Sequence, residues 1–95
     1  MVDNIFKIDI TRAAGQIIKN LPPKQYSQVI SAIFALRENP VPDDSKRLSG
    51  KTGYYRADSG EHRIIYRFDK DTVYIAVIGS INDDEVFKRF AKRKS

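Results

Sequence analysis

The stretch His62-Arg63-Ile64-Ile65-Tyr66-Arg67-Phe68 alternates with a period of two. In an extended chain successive side chains point to opposite faces. Ile64, Tyr66 and Phe68 therefore share one face, and Arg63, Ile65 and Arg67 share the other. β-Branched and aromatic residues suit a pleated, half-buried surface. If the first set packs into a core, the arginines emerge on the reverse of the sheet. His62 points away from Arg63 and adjoins a turn, so it reads as structural unless a bulge re-aims it.

Two segments of similar composition flank this one, residues 54–57 and 72–78. They are separated from it by Asp58-Ser59-Gly60-Glu61 and Asp69-Lys70-Asp71, which are turn chemistry, so the three read as an antiparallel meander. Arg56, with Tyr54 and Asp58 on its own face, can join the arginines. Lys46, Arg47 and Lys51 fall in the loop that approaches the meander.

Further out, residues 4–10 set Ile5, Lys7 and Asp9 against Phe6, Ile8 and Ile10, the pattern of a first strand. Thr11 is placed to cap a helix carrying Ala13, Ala14, Ile17 and Ile18, which Leu21-Pro22-Pro23 ends. Residues 24–38 carry Val29, Ile30, Ile33, Phe34, Ala35 and Leu36 mainly at helical spacing, and the short connection makes the two helices an antiparallel hairpin. Asn39-Pro40-Val41-Pro42-Asp43-Asp44 is a loop. Residues 79–82 lead to a last short helix from Asp83 to about Lys92, with Val86, Phe87 and Phe90 as its apolar contacts. Asp83, Asp84 and Glu85 suit its N-terminal end, and Lys88, Arg89, Lys92, Arg93 and Lys94 its C-terminal end.

The expected fold is α+β, one domain over residues 1–95. The N-terminal strand and antiparallel helical hairpin pack on one face of a small antiparallel sheet, a short C-terminal helix follows, and the other sheet face stays open to a ligand. At 95 residues there is room for one core. The chain is 41% hydrophobic and 31% charged, an ordinary globular composition. Residues 1–19 hold no continuous apolar block, so no secretory signal or membrane span is expected, and a cytoplasmic location is.

With no cysteine and only His62 among the histidines, disulfides, thiolate sites and multi-histidine metal sites are excluded. No phosphate-loop motif occurs, so neither metal nor cofactor is expected. The net charge of +5 suits a polyanion or an acidic protein partner. Arginines grouped on a sheet face suit a phosphate backbone, because guanidinium forks bind phosphate bidentately. The alternative is cross-strand pairing with Asp58, Glu61 or Asp69. Tyr54 and Tyr55 read first as sheet packing, and Phe87 and Phe90 as core.

The ordered set Arg47-Leu48-Ser49-Gly50, Gly53-Tyr54-Tyr55-Arg56-Ala57, His62-Arg63-Ile64-Ile65-Tyr66, Val77-Ile78-Gly79 and Asp84-Glu85-Val86-Phe87 resembles the RelE/ParE toxin superfamily. The likeness covers most of the chain, since the preceding strand and helical hairpin match in order and length. It implies the toxin of a type II toxin–antitoxin pair, partnered by a cognate antitoxin. In the RelE branch it implies an endoribonuclease that cuts mRNA on the ribosome without a metal, the 2′-hydroxyl attacking the adjacent phosphate. Arg56 and Arg63 match the catalytic phosphate-holding cations. Arg47, Lys51, Arg67 and Lys88 are the further RNA-binding candidates, and His62 and Glu85 the candidate acid and base.

Three positions depart from the family pattern. The second basic residue of Y-R-x-R is Asp58, the late arginine falls near Ile81, and the tyrosine of the final helix is Phe87. Those departures favour the alternatives, a ParE-like inhibitor of DNA gyrase or an inactive relative that only binds the antitoxin. The compact helical hairpin favours the ribonuclease.

Overall fold

The computed structural model describes residues 5–42, 45–48 and 50–92, and of Asp84 the backbone alone. Asn4, Asp43, Asp44, Ser49, Arg93 and Lys94, which the sequence reading assigned, lie outside the described residues. The elements are β1 (Lys7–Ile10), α1 (Arg12–Lys19), α2 (Pro23–Glu38), β2 (Lys46–Arg47), β3 (Tyr55–Ser59), β4 (His62–Phe68), β5 (Thr72–Ser80) and α3 (Asp84–Lys92). The strands form one five-stranded sheet in the order β1-β5-β4-β3-β2.

The meander stands at the centre of this sheet, with β3, β4 and β5 paired antiparallel. Ser59 pairs with His62, so Gly60-Glu61 is a two-residue turn rather than the four-residue separator of the sequence reading. Gly60 comes first with φ +59°, and among the described residues only glycines have a positive φ. A glycine leading a two-residue turn is the type II′ arrangement, whose twist matches the flanking strands. Asp58 and Ser59 thereby become strand, and Asp58 is drawn opposite Arg63.

Two strand pairings correct the expectation of a purely antiparallel sheet. β1 lies parallel to β5, Lys7 opposite Thr72 through Ile10 opposite Ile75. Lys46 and Arg47, read as loop, pair with Arg56 and Tyr55. Partner choice across such distances in sequence leaves no local trace, and a two-residue strand has no periodicity to detect.

The register of β5 changes once. Ile65 pairs with Val77 but Tyr66 pairs with Ile75, so Ala76 is an extra residue opposite β4. This bulge turns both Ile75 and Ile78 toward the same side, although they are three apart in sequence. Thr11 holds the same place from outside. Its hydroxyl donates to the Ala76 carbonyl at 2.8 Å and accepts from the Ala14 amide at 3.1 Å, and its own amide donates to the Ile75 carbonyl at 3.0 Å. One side chain caps α1 and fixes where β1 leaves β5. Beyond Ala76, no strand among the described residues lies on the outer edge of β5.

The core lies between the helical hairpin and one sheet face. Ala14 and Ile18 of α1 and Val29, Ile33 and Leu36 of α2 meet Ala57, Ile64, Tyr66, Val73, Ile75 and Ile78. Pro23 opens α2, where its missing N–H costs nothing. Tyr66 is fully buried and donates its hydroxyl hydrogen to the Pro40 carbonyl at 2.6 Å, tying the loop after α2 to the sheet. Tyr55 stacks on Tyr66 and lies against Phe68. Phe34, counted in the helical stripe, is exposed instead and carries the Arg37 guanidinium over its ring.

α3 differs from the other helices in the face that it covers. Phe87 is 5% exposed and lies over Gly79, whose neighbour Ile78 points into the core. The arginine face is therefore covered in part, not left open. A Cβ at Gly79 would stand 3.4 Å from the Phe87 ring, an ordinary contact distance.

Replacing Thr11 with Ala removes both the cap and the tie to Ala76. A loss of about 1–2 kcal/mol is expected, read as a lower urea midpoint with an unchanged slope.

Candidate functional site

On the face away from the hairpin, the register brings Arg56, Asp58, Arg63 and Ile65 to the corners of one patch. Asp58 stands opposite Arg63 and Arg56 opposite Ile65. Directly opposed residues share a face at roughly 5 Å between Cβ atoms, and diagonal ones lie roughly 7–8 Å apart. Ile65 is fully buried and makes an apolar floor.

Arg63 is held from two sides. Its Nε donates to Asp58 Oδ1 at 2.9 Å, and its Nη2 reaches Oδ2 at 3.4 Å. Its guanidinium also lies 5.5 Å from the centroid of Phe87. The Arg63 side chain is 18% exposed against 44% for Asp58, so the carboxylate is the outer member of the pair. Cross-strand pairing, the alternative weighed for the arginines, thus describes Arg63. It does not describe Arg56, which has no hydrogen-bond or ion-pair partner among the described residues. Lys46 stands opposite Arg56 and adds a second charge at that edge.

Arg67 shares the face but belongs to a separate hollow. Its guanidinium lies 4.0 Å from the Tyr74 centroid. A recess of about 200 Å³ opens there, lined by Asp9, Thr11, Tyr54, Arg67, Tyr74 and Ala76. Lys51 borders the face at α3, with its ammonium 5.5 Å from the Tyr54 ring and 5.0 Å from Phe90. Tyr54 and Phe90 meet edge-to-face at 5.2 Å, so Phe90 packs on the loop before β3 rather than in the main core.

The remaining candidates lie elsewhere. Arg47 is cross-strand from Tyr55 and lies over its ring at 5.7 Å, on the hairpin side. Lys88 and Glu85 are exposed on α3. His62 points away from Arg63, as the alternation of β4 requires, because the bulge comes only after Ile65. It lines an apolar groove of about 330 Å³ with Ala13 and Ile17 of α1, Val77 at the free edge of β5, and Asp83 and Val86. His62 Nδ1 is buried there without a hydrogen-bond partner. Arg56, Arg63 and Arg67 are brought onto one face, and His62 and Arg47 are not. No group of three His, Asp or Glu that could hold a metal occurs among the described residues. No helix among them is long and apolar enough to cross a membrane.

Residues 3–84 match the family model described as the ParE toxin of type II toxin–antitoxin systems, parDE. A curated relative, the putative toxin RelE1 of Methanocaldococcus jannaschii, is 33% identical over 64 residues, 64% of this chain and 71% of the relative. Among solved structures, the RelBE2 toxin–antitoxin complex of Mycobacterium tuberculosis is similar at 26% identity, covering 80% of this chain and 91% of that one, with a TM-score of 0.69. The free RelE toxin of E. coli, solved as a mutant, shares the fold at 20% identity over 96% and 99% of the two chains, with a TM-score of 0.77. The chain belongs to the RelE/ParE superfamily, the toxins of type II toxin–antitoxin systems.

The turn between β4 and β5 carries the clearest titration effect. The Asp69 carboxylate accepts from the Asp71 and Thr72 amides at 3.0 and 2.9 Å and from the Tyr74 hydroxyl at 3.0 Å. These bonds, the Asp71 amide first, lower its pKa to about 2, and the same contact raises that of Tyr74. A carboxyl group with a lowered folded-state pKa stabilises the fold above its unfolded value, and the contribution is lost as pH falls toward the folded one. Replacing Asp69 with Asn should therefore flatten stability against pH between about 4 and 2. Urea midpoints across that range test this, and an unchanged acid slope in the variant would contradict it.

Proposed function

We propose that this toxin is a metal-independent endoribonuclease that cleaves mRNA on the ribosome and is neutralised by a cognate antitoxin. The observation that carries this reading is the Arg56–Arg63 diagonal on an apolar floor. Two guanidinium groups roughly 7–8 Å apart at their Cβ atoms can grip one phosphodiester from both sides. Fixed cations aimed at a pentacoordinate phosphate stabilise the charge that develops there. Lys46 and Lys51 extend the positive rim along the path of a strand, and the net charge of +5 favours association with ribosomal and messenger RNA.

Several of the structural neighbours are toxins solved with their antitoxins, among them complexes from M. tuberculosis and E. coli. That supports a protein partner for this chain. An acidic segment lying across the arginine face and α3 would neutralise the cations while it folds. A second reading, inhibition of DNA gyrase, is favoured by the ParE identity of the matching family model and by Phe87. That residue lacks a hydroxyl and is too buried to stack on a nucleotide.

Induction of the toxin without antitoxin, followed by primer extension on a translated reporter mRNA, separates the readings. Discrete cuts inside codons are expected. Arg56→Ala and Arg63→Ala, each confirmed folded by circular dichroism, should lower the cleavage rate by about 10²–10³-fold. Growth arrest with intact mRNA would point to gyrase, and no arrest to an inactive relative.

A further inference from the structure

We infer that Asp58 is the general base of this active face, a role that rests on the endoribonuclease reading. The sequence places a carboxylate where the family pattern has a cation, and the structure gives it a definite position. It occupies one corner of the patch whose diagonal is Arg56–Arg63, opposite Arg63 and two residues from Arg56 on the same strand face. A phosphodiester held on that diagonal lies beside the carboxylate, within one side-chain reach. The neighbouring ribose is then the closest part of the substrate to Asp58.

The hydrogen bonds leave the carboxylate one working oxygen. Arg63 Nε holds Oδ1 at 2.9 Å, while the contact to Oδ2 is long at 3.4 Å. Oδ2 takes only this longer bond and keeps a lone pair that can accept the 2′-hydroxyl hydrogen, and the side chain is 44% exposed. The Arg63 bond orients the base, as a positioned partner does in other acid–base pairs. Other candidates fail on position. Asp9 lies on β1 beyond β5, His62 is on the opposite face, and Glu85 is exposed on α3 without a contact to either arginine.

The step balances without oxidant or co-reactant. Asp58 takes the 2′-hydroxyl proton as the 2′-oxygen bonds to phosphorus. The bond from phosphorus to the 5′-oxygen breaks, and that oxygen leaves with a proton from water. Asp58 returns its proton to the hydroxide so formed. The products are a 2′,3′-cyclic phosphate and a 5′-hydroxyl.

Among the described residues, the charged groups facing Asp58 are Arg63 on β4 and Arg56 on its own strand, with Lys46 of β2 behind Arg56; α3 contributes the Phe87 ring over Arg63. The test is single-turnover cleavage of mRNA on programmed ribosomes across pH, for the intact toxin and for Asp58→Asn and Asp58→Glu. Asp58→Asn keeps a hydrogen-bond acceptor for Arg63 but cannot take a proton. It should cleave about 10²–10³-fold more slowly, bind programmed ribosomes within about threefold of the parent, and lose the acid limb of the rate profile. Asp58→Glu should restore part of the rate together with that limb. Cleavage by Asp58→Asn at the parent rate or faster would overturn the proposal, making the carboxylate a mere counter-ion of Arg63. If that variant does not fold, a parent profile that is flat on its acid side overturns it equally. A parent toxin that leaves mRNA intact removes the ribonuclease reading itself, and the base with it.

Discussion

The extra residue at Ala76 is the constraint on which the face assignments of β5 depend. Side chains of a strand alternate, so an unbroken β5 could not send both Ile75 and Ile78 into the core. One inserted residue lets them, and Val77 and Gly79 then fall on the arginine side. Gly79 is the surface on which Phe87 rests, and Phe87 in turn lies under the Arg63 guanidinium. Thr11 meets the bulge with one hydrogen bond from its hydroxyl and one from its amide, and the same hydroxyl caps α1. The packing of β5 into the core and the seat of α3 thus follow from one local irregularity and the side chain that satisfies it.

The arginine face combines opposed electrostatic arrangements. Arg63 is paired, stacked and mostly buried, which fixes its geometry before any substrate arrives. Arg56 keeps its charge unpaired among the described residues and half-buried. Arg67, with Tyr74 and the Asp69 turn, forms a separate cluster farther along β4. Pre-ordering of this kind limits the reorganisation needed at the phosphate.

Much of this was legible in the sequence. The alternation of His62 to Phe68 assigned both faces of β4 correctly, because the bulge lies on the partner strand and leaves β4 regular. Thr11 as a cap, a second helix just after the proline pair and the buried Val29, Ile33 and Leu36 followed from propensity and spacing, although α2 already includes Pro23. The parallel partner of β1 did not, since pairing over some 65 residues has no local signature. Nor did the pairing of Arg47 on the hairpin side, since two residues of strand carry no period. Asp58 was visible as a departure from a basic position and as one of three candidate partners for the arginines. Only the two-residue turn at Gly60 put it opposite Arg63. The coverage of the arginine face by α3 was not legible either, because an apolar residue such as Phe87 does not say which sheet face it packs on.

The central claim is that the arginine face drives attack by the 2′-hydroxyl on the neighbouring phosphate. End-group analysis of mRNA fragments, made on ribosomes by the purified toxin, tests it most directly. The account predicts that the downstream fragments accept label from polynucleotide kinase without prior dephosphorylation. The upstream fragments should end in a 2′,3′-cyclic phosphate. Fragments bearing a 5′-phosphate and a free 3′-hydroxyl would contradict it, because they require attack by water from the other side of the phosphorus.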